Sequence, residues 1–145
     1  MNIKLKIFLL LFFLSSCTSY IPPKYDLNTY RDKEKSYDIE LYWNVNKKNS
    51  SMQINGLIKN VRYYDINSFQ LYIELFDDKN NVVSKGVFDY RHDKILPDEI
   101  VPFSINLPFS IHSKLQKIKF SYRYYFTEEE KLKDDFIFWS FERNL

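Results

Sequence analysis

Tyr37, Ile39, Leu41, Trp43 and Val45 alternate with Asp38, Glu40, Tyr42, Asn44 and Asn46. A repeat of two puts one set on each face of a β-strand, one toward a core and one toward solvent. The pattern returns. Met52, Ile54 and Ile58 carry it across Gly56, and Phe69, Leu71, Ile73 and Leu75 alternate with Gln70, Tyr72, Glu74 and Phe76. A fourth strand is expected from Val82 to Tyr90, and Val101, Phe103, Ile105 and Leu107 mark a fifth. Ile118, Phe120, Tyr122, Tyr124 and Phe126 mark a sixth, and Phe136 to Phe141 a seventh. Turns fall at Asn46–Ser51, at Asp77–Asn81 and at Ile95–Glu99, where Asn, Asp and Pro favour chain reversal. Pro102 inside the fifth pattern points to an edge position or a bulge, because proline cannot donate to a ladder. About seven short antiparallel strands with charged turns predict an all-β chain, an immunoglobulin-like β-sandwich.

Length allows one such domain: 145 residues bury a sufficient core without disulfides or metals. The composition agrees, with 13 Phe, 12 Tyr and only two glycines, Gly56 and Gly86. Aromatic and β-branched residues fit a pleated surface, and two isolated glycines exclude Gly-rich phosphate loops and dinucleotide fingerprints.

The N-terminus reads differently. Lys4 and Lys6 precede an unbroken apolar run, Ile7-Phe8-Leu9-Leu10-Leu11-Phe12-Phe13-Leu14, which is followed by Ser15-Ser16-Cys17. As a helix the run spans about 12 Å, against about 30 Å of bilayer hydrocarbon, so it is read as the apolar region of a signal peptide. Leu14-Ser15-Ser16-Cys17 resembles the bacterial lipobox: an aliphatic residue, two small residues and a cysteine. That resemblance implies a thiol that accepts diacylglycerol and a peptidase cut just before it, so that the mature lipoprotein begins at Cys17. Acyl chains contribute about 0.8 kcal/mol per buried CH₂, and several of them hold a protein on a membrane. Thr18 follows the cysteine, not Asp, which by resemblance implies outer-membrane sorting in a cell with two membranes. The other reading is an ordinary secretory signal, which leaves the sole cysteine of an exported chain as a free thiol.

The expected organisation is therefore a signal peptide over 1–16, a lipidated cysteine and tether over 17–36, and a β-sandwich over 37–145. The tether assignment rests on Pro22-Pro23 and on the mixed-charge run Arg31-Asp32-Lys33-Glu34-Lys35. Removing Lys4 and Lys6 with the signal reduces 21 basic side chains to 19, the number of acidic ones. A neutral domain with interspersed charges has no electrostatic reason to bind nucleic acid.

Ile54 to Pro108 resembles the FxLYD family of bacterial β-sandwich domains. Ile54-Asn55-Gly56-Leu57-Ile58-Lys59-Asn60 is similar to its opening strand, and Ile73-Glu74-Leu75-Phe76-Asp77 falls on the name motif with Ile for the first Phe and Phe for Tyr. Asn81-Val82-Val83 and Pro97-Asp98-Glu99 through Pro102-Phe103 follow its later segments. The resemblance implies a sandwich in an exported or lipid-anchored protein and brings no catalytic residues.

Chemistry is sparse. His92 and His112 lack the spacing of metal ligands, and His92-Asp93 is expected in a turn. Ser104, His92 and Asp89 supply the residue types of a triad but no nucleophile elbow. Asp77-Asp78, Glu128-Glu129-Glu130 and Asp134-Asp135 fall in expected turns and do not build a calcium loop. No enzyme, metal or cofactor is expected. Tyr63, Tyr64, Tyr72, Phe76, Tyr125 and Trp139 are expected on outward positions, where aromatic rings mark contact surfaces. The expectation is a non-catalytic envelope lipoprotein, tethered to the membrane through Cys17, whose sandwich contacts an envelope protein or supports an assembly. The alternative is a ligand-binding module for a glycan, peptidoglycan fragment or lipid.

Overall fold

The computed structural model describes residues 24–126 and 135–145. Leu14, Ser15, Ser16 and Cys17 lie outside the described residues, as do Glu128-Glu129-Glu130 and Asp134. Among those described, a single 3-10 turn at Leu27–Thr29 precedes eight strands: β1 (Asp32–Lys35), β2 (Ile39–Lys47), β3 (Ser51–Asn60), β4 (Ile66–Asp77), β5 (Val82–Ile95), β6 (Ile100–Pro108), β7 (Leu115–Phe126) and β8 (Asp135–Asn144). They form two antiparallel sheets of four, ordered β1-β2-β3-β6 and β5-β4-β7-β8. The fold is the β-sandwich that the alternation predicts.

Two expectations about where the strands fall need correction here. The mixed-charge run assigned to the tether supplies β1, which pairs with β2 from Asp32↔Trp43 to Lys35↔Glu40. A short charged strand suits a sheet edge, where it discourages further pairing, and it carries no apolar alternation to reveal it. The preceding residues also dock: Arg31 N donates to Asn44 Oδ1 at 2.8 Å, and Asn44 Nδ2 donates to the Thr29 carbonyl at 3.2 Å. His92 and Asp93 lie not in a turn but within β5, which continues to Ile95.

The core is built from the predicted rows. Ile39, Leu41 and Trp43 of β2, Met52, Ile54 and Ile58 of β3, and Val101, Phe103, Ile105 and Leu107 of β6 face Phe69, Leu71, Ile73 and Leu75 of β4 and Ile118, Phe120, Tyr122 and Tyr124 of β7. Trp43 crosses the gap to Phe120, with ring centroids 4.6 Å apart. Pro102 sits on β6, an edge strand, as its chemistry requires. At the Asp77 turn, Oδ1 accepts from Lys79 N at 2.9 Å and Asn81 N at 2.7 Å, and Asn80 takes a φ of 64°. The Asn81 backbone donor holds the Asp77 carboxyl below the usual carboxylate range.

One pole of the sandwich carries a polar knot. Asp38, on the tight connection from β1 to β2, is buried and accepts from the Tyr124 hydroxyl. The Ser36 and Tyr122 hydroxyls meet at 2.7 Å beside it. Burial raises the phenol pKa of both tyrosines, and the Asp38 carboxylate adds to the shift at Tyr124. On the other side of the sheet burial pushes Tyr42 up to about 12, helped by its 2.5 Å bond to Glu40. A phenol whose pKa is raised by folding contributes stability that is complete below pH about 10 and is lost as pH climbs through the folded value. Denaturant unfolding should therefore show stability falling above pH about 10, by roughly 1.4 kcal/mol per pH unit for each such tyrosine. Tyr124→Phe should flatten that slope relative to wild type.

Candidate interaction surface

The outer face of the β5-β4-β7-β8 sheet carries several of the expected aromatics, each with a neighbour that explains its exposure. Tyr72 on β4 lies opposite Ser121 of β7 and Val87 of β5. Its hydroxyl donates to Gln70 Oε1 at 3.0 Å, and the Arg123 guanidinium lies over its ring at 5.4 Å. Arg123 Nε reaches the same Gln70 oxygen at 2.6 Å, while Gln70 Nε2 donates to Asp89, which is itself held by Arg91. The Arg91 bond keeps the Asp89 carboxyl below its ordinary range. Phe76 is covered in a similar way by the Lys117 ammonium at 4.9 Å. Tyr72 and Phe76 are thus half-buried parts of a satisfied surface network, held by cation–π contacts.

Tyr63 and Tyr64 sit on the loop between β3 and β4 at the pole of the polar knot. Tyr64 stacks on Phe126 at 4.5 Å and belongs to the margin of the core. Tyr63 is 74% exposed, edge-on to Tyr64, and the Arg62 guanidinium lies over both rings and over Tyr37, at 4.0 Å from the last.

The remaining two expected residues lead to β8. Tyr125 stands opposite Phe136 on the outer face, their rings 5.3 Å apart. Phe138, 57% exposed, follows on the same face opposite Arg123. Trp139 was expected outward, and the register places it inward: it pairs with Tyr122, a core residue, yet is 49% exposed. The reason is the short strand across the gap. Arg143 of β8 meets Glu34 of β1, so β1 is the strand that faces β8, but it is four residues long against ten. Trp139 therefore lies on the core side of β8 with no full-length strand above it among the described residues. Phe136, Phe138 and Trp139 together make an uncharged aromatic edge.

Phe136 and Phe138 were not foreseen as surface residues. Phe136 to Phe141 is apolar at both parities except for Ser140, and such a run reads equally well as a strand buried on both faces. The edge position decides otherwise.

Two open depressions lie elsewhere on the described surface. One, of about 590 Å³, is bordered by Tyr25, Leu27, Tyr30, Lys33 and Tyr42, and the other, of about 460 Å³, by Asp77, Asp78, Lys79, His112 and Lys114. Ser110 and Ser113 also border the second. Ser104 lies on the outer face of one sheet, donating to Asn55 at 2.7 Å, while Asp89 lies on the outer face of the other. Among the described residues no three His, Cys, Asp or Glu side chains converge as a metal site, and no helix is long and apolar enough to cross a membrane.

No protein-family model and no curated protein matches the chain. Among solved structures it is similar to the GAE domain of yeast GGA1, at 12% identity over 79% of this chain and 98% of that one, with a TM-score of 0.45. It is also similar to a protein from Archaeoglobus fulgidus, at 14% identity over 79% of this chain and 98% of that one, with a TM-score of 0.35. The GAE domain of GGA2p from Saccharomyces cerevisiae matches at 10% identity over 76% of this chain and 97% of that one, with a TM-score of 0.39.

Proposed function

We propose that this chain is a lipid-anchored protein of a bacterial envelope, held through Cys17, and that its sandwich is a non-catalytic protein-interaction module. The observation that carries the second half is the β8 edge. Phe136, Phe138 and Trp139 leave apolar area in solvent along a strand whose outer backbone groups have no partner strand among the described residues, and such edges and patches are where proteins add a partner. The first half rests on the register of Lys4, Lys6, the apolar run and Leu14-Ser15-Ser16-Cys17. The depressions are open and polar-rimmed, which suits a glycan or lipid module less well than a contact surface.

Chemical crosslinking in cells, followed by extraction of the membranes in detergent, tests the module. A defined crosslinked species is expected from wild type and from Tyr72→Ala, and is expected to disappear in a Phe136→Ser, Phe138→Ser double variant. A species that survives the double variant would move the contact away from β8.

A further inference from the structure

The sandwich has four sheet edges, and three are protected. β1 is four residues of alternating charge, Asp32-Lys33-Glu34-Lys35. β6 carries Pro102 and Pro108. β5 carries Lys85, Asp89, Arg91 and Lys94, and its ladder with β4 breaks register twice, next to Ser68 with its φ of 54° and again between Leu75 and Phe76. Charge, proline and bulges are the devices that stop a sheet edge from recruiting another strand. β8 has none of them where it matters. Its ladder to β7 runs unbroken from Phe126↔Asp135 to Lys117↔Asn144, and residues 136–141 hold neither charge nor proline.

Resting on the interaction reading above, we propose that the occupant of this edge is the β8 strand of a second copy of the chain. The pairing is antiparallel about a two-fold axis at Phe138, extending the two β5-β4-β7-β8 sheets into one. A two-fold contact must be self-complementary, and β8 meets this requirement in the register centred on Phe138. Phe138 meets the second copy's Phe138 on the outer face, and Phe136 meets Ser140. On the core side Ile137 meets Trp139, which supplies the cover that β1 is too short to give, and Asp135 falls opposite Phe141 at the end of the overlap. Aromatic and aromatic–β-branched cross-strand pairs are among the favourable ones. Glu142 and Arg143 fall outside this overlap, so Lys117–Glu142 at 3.1 Å and the Arg143 contact with Glu34 persist unchanged. Pairing about Trp139 instead sets Phe136 against Glu142 and Asp135 against Arg143, where Arg143 already serves Glu34. A lipid anchor would also confine copies to one surface and raise their effective concentration.

The test uses the full chain, expressed in bacterial cells as two differently tagged copies, with a photoreactive phenylalanine analogue at Phe138 or, for comparison, at Val87 on the outer face of β5. An adduct carrying both tags from position 138 and not from 87 is the expected result. Phe138→Lys sets two like charges face to face and should lower dimer recovered from wild-type-tagged pairs by about tenfold or more, with an unchanged thermal melt because the side chain is exposed. An adduct joining one tag to a different protein would overturn the second-copy proposal while leaving the interaction reading standing. Absence of any adduct at 138 would overturn both.

Discussion

Gly56→Ala is expected to lower the stability of the domain by about 3 kcal/mol or more, a drop in melting temperature on the order of 10 °C. Gly56 sits in the middle of β3, between Trp43 of β2 and Phe103 of β6. A Cβ there would come within 2.2 Å of the Tyr42 carbonyl oxygen and 2.5 Å of the Phe103 ring. A flexible side chain can turn away from such a contact; a carbonyl oxygen fixed in a ladder cannot. The strand must shift, and it is paired on both sides. Glycine normally weakens a strand, so its presence in Ile54-Asn55-Gly56-Leu57-Ile58 reports a close approach and not a turn. Gly86→Ala is the comparison. Its Cβ would meet the Ile105 and Leu107 methyl groups at 2.6 and 2.9 Å, which can give way, so the smaller loss should fall there. Differential scanning calorimetry of the two variants measures the order.

Asn60→Ala should cost a similar amount, about 3–4 kcal/mol, for a different reason. Asn60 ends β3, is fully buried, and bonds to three backbone groups, two on the β3–β4 loop and one at the end of β5. Its Nδ2 donates to the Tyr64 carbonyl at 2.9 Å and the Ile95 carbonyl at 3.0 Å, and its Oδ1 accepts from Arg62 N at 2.8 Å. Its own backbone joins the β5–β6 connection as well, with N donating to the Glu99 carbonyl and the carbonyl accepting from Asp98 N. Removing the side chain leaves buried donors and acceptors with no replacement, at about 1–3 kcal/mol for each group that stays dry. Asn60→Asp keeps the acceptor for Arg62, loses both donors and buries a charge, so it should destabilise at least as much. Equilibrium urea unfolding at neutral pH checks both. A loss below about 1 kcal/mol would mean that water replaces the amide, and that the β3–β4 and β5–β6 connections are looser than their bonds indicate.

Legibility from sequence follows what each residue does. The rows Ile39-Leu41-Trp43 and Ile118-Phe120-Tyr122-Tyr124 were plain, because burying one face of a strand forces a period of two. The turn at Asp77 was plain because its side chain bonds to its own loop. β1 was not, since an edge strand of Asp, Lys and Glu is held by backbone bonds that any sequence can make. The surface aromatics divided on information that lies between strands. Tyr72 and Phe76 do face outward, but Arg123 and Lys117 on β7 cover them. Trp139 faces inward by its register with Tyr122, and stays half-exposed because the strand opposite it is short. Phe136 and Phe138 became surface only once β8 was placed at an edge. Alternation tells which residues share a face, and strand order tells whether that face is covered.

The envelope assignment turns on Cys17, and metabolic labelling with a palmitate analogue in a bacterial cell, with fractionation of the same culture, addresses it directly. The full chain is expected to carry the label and to stay with membranes through high salt and alkaline carbonate. Cys17→Ser is expected to lose the label and, with it, the membrane attachment. An unlabelled wild type recovered in the soluble fraction, or a label that persists in Cys17→Ser, would contradict the assignment and leave the sandwich without its tether.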